Sequence, residues 1–219
     1  MARSEPVAVE SASESGIPVV AAVAKRALDI FGSLIAIIVL TPLSAILVVL
    51  IVVDSWGPPF YVSRRIGRGG RQFPLIKFRT MIVRAEDWLP ALRHTQPEFD
   101  AYWKMADDPR ITRIGRWLRR SSLDEVPQFL NVLWGHMSLV GPRPIVDEEL
   151  SQCPPDAARQ LLSVRPGLTG LWLPSGRSTI AYPERTHIEL EYVHGWSLRW
   201  DLQILWNSLP TVLSRRGAL

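Results

Sequence analysis

Apolar and polar residues are very unevenly spread along the chain. From Ile30 to Val53 there is no charged side chain, a run of 24 residues. As a helix this run would measure about 36 Å, enough to cross a hydrocarbon core of about 30 Å. Two features argue against a simple crossing. Thr41-Pro42 falls near the middle, where a proline removes one backbone hydrogen bond and crowds the preceding turn. Both flanks are basic, Lys25-Arg26 before and Arg64, Arg65 and Arg68 after, whereas a spanning helix carries its Lys/Arg excess on one side. The pattern favours a helix over 25–56 that enters a membrane, bends at Thr41-Pro42 and returns. Each arm would reach about 18 Å deep. The Thr41 hydroxyl is expected to satisfy a carbonyl freed by the proline. Residues 1–24 have no clear period and read as a disordered leader, not a secretory signal.

After the run the periods shorten. Phe60-Tyr61-Val62 and Phe73 to Phe78 read as the arms of a hairpin, with a Gly/Arg turn from Arg64 to Arg71. The turn lacks the residue order of a P-loop. Alternation along the second arm puts Lys77 and Arg79 on one face. Residues 82–105 read as helix, with Trp88 and Trp103 as apolar anchors. Ile111, Ile114, Trp117 and Leu118 then recur at helical spacing, with Arg113, Arg116, Arg119 and Arg120 between them. That is an amphipathic helix with a basic face. A further helix carries Phe129 to Trp134 and stops at Gly135. Ser138 to Pro144 reads as strand and turn, 145–163 as helix, and 165–172 as loop or short strand. Ser175-Gly176-Arg177-Ser178 is another turn. Thr186 to Leu213 is a Trp-rich helix, fit to lie in a membrane interface or in a core.

Charge sharpens this picture. Residues 62–120 carry 14 basic and 6 acidic groups, net +8, while the stretches on either side are each net −2. A basic block beside an apolar anchor meets anionic lipid or a phosphorylated substrate. Cys153 is the only cysteine, which excludes an internal disulfide and a cysteine zinc site. Nine tryptophans fit a protein that meets a membrane–water interface.

The candidate chemistry lies in Ser121-Ser122-Leu123-Asp124-Glu125-Val126-Pro127. Taken alone, Asp124 and Glu125 read as a helix cap and its first turn. Their place just after Arg119-Arg120 puts a carboxylate in cationic surroundings, where it stays ionised and meets anionic substrates. Pro142 and Pro144 bracket Arg143 and stiffen it, a way to aim one guanidinium at a phosphate.

Several stretches together resemble the bacterial sugar transferases, the monotopic polyprenyl-phosphate phosphoglycosyl transferases. They are Lys25-Arg26-x2-Asp29, Thr41-Pro42, Asp54-Ser55-x-Gly57-Pro58, Arg65-Ile66-Gly67-x2-Gly70 and Lys77-Phe78-Arg79-Thr80-Met81. They continue with Ser122-Leu123-Asp124-Glu125-x-Pro127-Gln128, Met137-Ser138-Leu139-Val140-Gly141-Pro142-Arg143-Pro144 and Arg165-Pro166-Gly167-Leu168-Thr169-Gly170-Leu171-Trp172. The chain is most similar to the short members that start exopolysaccharide synthesis with a hexose-1-phosphate. The resemblance implies transfer of glucose- or galactose-1-phosphate from a UDP-hexose to undecaprenyl phosphate, with release of UMP and with Mg²⁺. It implies Asp124 as nucleophile and metal ligand, Glu125 as its partner, and Lys77, Arg79, Arg120, Arg143 and Pro144 as substrate-binding residues. It implies Thr41 and Pro42 as the membrane break, and a site on the cytoplasmic face of the bacterial inner membrane. A homodimer is a candidate assembly. Thr41, His136 and Leu173-Pro174 depart from the family's usual residues, the last pair in a stretch that bears on the donor.

The expected fold is α+β and mainly helical. A re-entrant membrane helix over 25–56 precedes a compact catalytic domain over 57–219, built from a small β-hairpin and amphipathic interfacial helices. Two competing classes are a non-catalytic adaptor on anionic lipid and a membrane-tethered nucleic-acid binder. An adaptor has no use for Asp124, and no nucleic-acid motif accompanies the basic helix.

Overall fold

The computed structural model describes residues 19–88, 108–173 and 184–213. Helix α1 runs from Val19 to Asp54, 36 residues with Pro42 inside it. It begins within the stretch expected to be a leader, and it stays helical through Thr41-Pro42. Thr41 Oγ1 donates to Ile37 O at 2.7 Å. That is its own i−4 carbonyl, not Ile38 O, the carbonyl Pro42 leaves without an amide donor. Proline and hydroxyl back-bonding bend a helix without ending it.

The surface of α1 is inverted. Asp29 and Ser33 are buried with Leu47 and Ile51, while Phe31, Leu34, Ile35, Ile38, Val39 and Ile46 are exposed. The helix is long and apolar enough to cross a membrane. Both of its ends dock on the rest of the protein. At the first end, Lys25 Nζ donates to Asp201 Oδ2 at 2.6 Å and to Val140 O at 3.0 Å. Arg26 donates to the carbonyls of Val132 and Leu133, each at 2.8 Å. Asp29 Oδ1 accepts from Ser138 Oγ and the Leu139 N–H, each at 2.9 Å. The basic flank Lys25-Arg26, which argued that both ends of the helix lie on one side, is thus engaged by the protein itself. At the other end, Leu47 and Ile51 pack with Phe78 and Leu118.

Strands β1 (Phe60–Ile66) and β2 (Gln72–Phe78) form the expected antiparallel hairpin, with Phe60 opposite Phe78 and Ile66 opposite Gln72. The first strand is longer than expected, because Arg64 and Arg65 continue it. The turn is left to Gly67–Arg71, with Gly69 and Gly70 at positive φ, where a side chain is disfavoured. The described part of the helix expected over 82–105 is a single 3₁₀ turn, Ala85–Trp88; residues 89–105 lie outside the described residues.

Helices α2 (Arg113–Ser121) and α3 (Gln128–Leu133) follow, and Gly135 at φ 84 closes α3. Strand β3 (Ser138–Val140) pairs in parallel with β4 (Gly167–Thr169). Their backbones pass very close, since a Cβ on Gly167 would lie 2.1 Å from Gly141 N. The helix expected over 145–163 is two, α4 (Asp147–Leu150) and α5 (Pro155–Leu161). Cys153-Pro154 divides them, because a residue before proline is disfavoured in helical geometry. The expected tail helix is also two, α6 (Glu184–Gly195) and α7 (Leu198–Leu213). The main core joins Phe73 and Leu75 of β2 to Val132, Met137, Leu139, Val140, Tyr192 and Ile204. Trp196 and Trp200 pack against it, while Leu202 and Trp206 are exposed. The tail therefore presents one face to the core and another outward.

Candidate active site

The chain leaving β2 fixes the position of α2. Ile82 N–H donates to Arg110 O at 2.9 Å and Thr112 N–H to Thr80 O at 3.1 Å. The backbone of α2 lies directly on that of Thr80, and a Cβ on Gly115 would stand 2.0 Å from Thr80 O. The N-terminus of α2 is held by two oxygens. Thr112 Oγ1 accepts from Gly115 N–H, and Asp54 Oδ2, at the end of α1, accepts from Ile114 N–H at 2.8 Å. These satisfy helix donors that otherwise lack partners. At the other end Ser122 adopts left-handed geometry, φ 57 and ψ 13, a strained conformation for a residue with a Cβ. It turns the chain into a 3₁₀ turn, Leu123–Glu125, and buries Asp124.

The carboxylates meet a cation from the hairpin. Lys77 Nζ lies 2.8 Å from Glu125 Oε1 and 3.9 Å from Asp124 Oδ2. Asp124 is 9 % exposed. Burial, and then the neighbouring Glu125 charge, push its carboxyl up to about 6, against the pull of Lys77 and Arg119. Arg119 donates from Nε to Thr80 Oγ1 at 2.9 Å, which ties it to the end of β2. Thus Arg119, not Arg120, is the arginine that acts on Asp124. Arg120 is exposed with Arg113, Arg116 and Trp117 on the outer face of α2. A helical step of about 100° separates the two arginines, and position 119 adjoins buried Leu118.

Arg79 goes elsewhere. It is 6 % exposed, and its guanidinium donates to the carbonyls of Ser55, of Trp56 (3.2 Å) and of Ile51 (3.4 Å). It closes the C-terminal end of α1, where carbonyls lack helical partners. Strand alternation predicted one face for Lys77 and Arg79, but β2 stops at Phe78.

Lys77 and Glu125 line an open cleft of about 340 Å³ with Arg65, Leu75, Gln128, Arg143, Pro144, Gly167, Leu168 and Trp172. Asp124 is set back behind Lys77. Arg143 is held from two sides. Its Nη1 donates to Glu149 Oε1 at 2.8 Å, and its backbone N–H reaches Glu189 Oε1 at 3.3 Å. Burial works against the Glu149 charge, yet Arg143, the Val146 N–H and Arg65 together outweigh it and hold that carboxyl below the usual range. The structure thus gathers Asp124, Glu125, Lys77, Arg143 and Pro144, and leaves Arg79 and Arg120 apart. Sequence reasoning missed Arg119, Arg65 and Trp172. For Arg65 the alternation Tyr61, Ser63, Arg65 is the signal, and the register confirms that it shares the Lys77 face of the hairpin; the Gly/Arg turn assigned to 64–71 hides it.

Among the described residues no group of three or more His, Cys, Asp or Glu side chains is arranged to hold a metal ion. Two adjacent carboxylates remain. Mg²⁺ is commonly held by one or two carboxylates together with substrate phosphates, so Asp124 and Glu125 fit that donor set.

The sequence matches known proteins over nearly its whole length. The profile of the bacterial sugar transferase family matches residues 20–215. The exopolysaccharide production protein ExoY of Rhizobium meliloti (strain 1021) is 40% identical over 199 residues, covering 89% of this chain and 88% of that protein. The undecaprenyl-phosphate galactose phosphotransferase of Salmonella typhimurium is 42% identical over 198 residues, 89% of this chain. The undecaprenyl-phosphate glucose phosphotransferase of Komagataeibacter xylinus is 36% identical over 205 residues, again 89% of this chain. This chain spans only 41% of the Salmonella protein and 36% of the Komagataeibacter one. With a buried Asp124 and a partly exposed Glu125 beside a lysine, on a body that grips both ends of a long apolar helix, this chain belongs to the bacterial sugar transferase family.

Proposed function

We propose that this protein transfers hexose-1-phosphate from a UDP-hexose to undecaprenyl phosphate and releases UMP. The observation that carries this reading is the buried Asp124, held 3.9 Å from Lys77 beside a cleft rich in cations. The names of the Salmonella and Komagataeibacter relatives support the lipid acceptor, and between them they leave galactose and glucose as the two donor sugars to test.

Asp124 is the nucleophile. Its carboxylate oxygen bonds to the sugar-linked phosphorus while the bond to UMP breaks. An oxygen of the lipid phosphate then bonds to the same phosphorus, and the Asp124 carboxylate leaves. The covalent step divides one hard exchange into two easier ones. Lys77 fixes the acid pair and offers its charge to the phosphoryl group, and Arg143 stands on the same cleft. Stabilising that charge is the main task in phosphoryl transfer. Asp124 and Glu125 would hold Mg²⁺, which when bound supplies further charge neutralisation at the diphosphate.

The membrane arrangement belongs to the same reading. Helix α1 is re-entrant, with both ends at the cytoplasmic face. Supporting this, Lys25, Arg26 and Asp29 at one end, and Leu47, Ile51 and Asp54 at the other, are all held by the same body. The side chains between them include exposed Ile35, Ile38 and Val39, a surface suited to acyl chains. The lipid phosphate then arrives at the level of the cleft.

The test is UMP release from purified membranes given undecaprenyl phosphate, Mg²⁺, and a panel of UDP-sugars that includes UDP-galactose and UDP-glucose. Wild-type protein should release UMP with one of the two, and Asp124→Asn should reduce release by at least about 10³-fold. No release with any UDP-sugar from folded protein would remove the transferase reading. Release that survives in Asp124→Asn would remove the covalent step.

A further inference from the structure

The charges around the cleft do not balance evenly. Lys77 is neutralised by Glu125 and Asp124. Arg143 is paired with Glu149. Arg65 lines the same cleft, yet no hydrogen bond or ion pair engages its guanidinium among the described residues, and its buried Nε has no partner. Burial, then the neighbouring Arg143, disfavours its charge, and Glu149, Tyr61 and Glu125 offset this from beyond contact distance. A half-buried guanidinium without a partner is unfavourable, and an anionic ligand removes that penalty.

Trp172 also lines the cleft, and its buried indole Nε1–H has no hydrogen-bond partner among the described residues. Its ring is held in place, with the Arg185 guanidinium 5.5 Å from its centroid and Arg185 in turn 3.5 Å from buried Glu189. Glu189 also receives the backbone N–H of Arg143. One carboxylate on α6 therefore steadies both the loop of Arg143 and the cation under Trp172. The cleft presents donors held in place, and among the described residues the acceptor side chains that line it, Glu125 and Gln128, bond neither the Arg65 guanidinium nor the Trp172 N–H.

We propose that Arg65 and Trp172 bind the phosphate oxygens that leave with the nucleoside: the Arg65 guanidinium as the charged ligand, the Trp172 N–H as a neutral donor to the same diphosphate. The assignment rests on the transferase reading above, and it adds which residues hold the departing group. Lys77 serves the phosphorus that Asp124 attacks. Arg65 shares its face of the hairpin but lies opposite Phe73, whereas Lys77 lies opposite Tyr61. The two cations therefore stand on one surface with the Ser63–Leu75 pair between them, and Arg65 is the one the acid pair leaves free. Guanidinium suits this task, because its planar fork matches phosphate oxygens in pairs.

The experiment measures UDP binding to the full-length protein in lipid nanodiscs, and the KM for UDP-hexose and for undecaprenyl phosphate. The variants are Arg65→Gln, Arg65→Lys and Trp172→Phe. Arg65→Gln should weaken UDP binding about 10- to 100-fold, the loss expected for a charged hydrogen bond. It should raise the UDP-hexose KM and leave the undecaprenyl phosphate KM unchanged. Arg65→Lys should recover part of the affinity, and Trp172→Phe, which keeps the ring and loses the N–H, should lose about 3- to 10-fold. Circular dichroism of each variant separates lost binding from lost fold; should Arg65→Gln misfold, Arg65→Lys and Trp172→Phe carry the comparison. UDP affinity equal to wild type in folded variants overturns the assignment. So does a KM change confined to undecaprenyl phosphate, which would place Arg65 on the acceptor. Wild-type protein that binds neither UDP nor UDP-hexose overturns the transferase reading and this assignment together. Wild-type turnover with unaffected variants overturns the assignment alone.

Discussion

Asp124 is a carboxylate with little water around it and a second acid beside it. Both conditions raise its proton affinity, and its carboxyl titrates near 6. In the proposed mechanism the charged form is the nucleophile, so UMP release should be high above that value and fall as the pH drops through it. Glu125 is one cause of the upward shift. A Glu125→Gln variant should therefore move the acid limb of the pH–rate profile to lower pH, even where the maximal rate falls. The stability consequence has the opposite sign. A carboxyl whose folded value is raised favours the fold below its unfolded value of 3.8 and loses that contribution as the pH rises through about 6. Asp124→Asn should thus unfold at a higher temperature than wild type at pH 8, with the gain absent at pH 4. An unfolding series from pH 4 to 8 would read both limbs, and a gain independent of pH would show that Asp124 charge is not the source.

Helix α1 illustrates what a pattern conveys at the scale of an element. The uncharged run announced a helix, and Thr41-Pro42 announced a place where it is weakened. The helix nonetheless continues through that place, because proline removes one backbone hydrogen bond and leaves the turns on either side intact. The re-entrant reading then depends on a bend there. Single cysteines placed at exposed Val20 and Arg64, in a Cys153→Ser background, should both react with a membrane-impermeant maleimide from the same face of oriented vesicles. Pro42→Ala straightens the helix, and it should shift a measurable fraction of the Val20→Cys label to the opposite face. Equal one-sided labelling in the variant would mean that the docking of the two ends, not the proline, sets the topology.

For the whole molecule, the contacts that close the fold are polar and lie between distant segments. Asp201 is fully buried and receives Lys25, Tyr192 OH at 2.8 Å and Trp196 Nε1 at 3.1 Å. Lys25 thereby fastens the first end of α1 to α6 and α7. Removing one member of such a buried pair leaves a charge without its partner. Lys25→Met should lower stability to chemical denaturant by about 3 kcal/mol. Lys25→Met with Asp201→Asn, which removes the charge and keeps a hydrogen-bonding side chain, should recover much of that loss. A double variant no better than the single one would show that Lys25 acts through packing.

Some of this was determined by the sequence alone. Periodicity is a local property, so the apolar run, the hairpin arms, the basic α2 and the Gly135 helix stop could be read from neighbours along the chain. The ordered motifs carried the family and the acid pair. Other features arise only when remote segments meet. Arg79 follows Lys77 by two residues, yet it caps α1 because β2 ends between them. Arg119 and Arg120 are adjacent, and the packing of Gly115 on Thr80 decides which of them is turned inward, to Thr80 and the field around Asp124. Lys25, Arg26 and Asp29 read only as a charged flank of the apolar run until β3, α3 and α7 take up their charges. Local patterns fix which way a side chain starts out; which partner it finds is settled by tertiary packing, because hydrogen bonds and ion pairs need atoms within about 3 Å that no stretch of sequence brings together by itself.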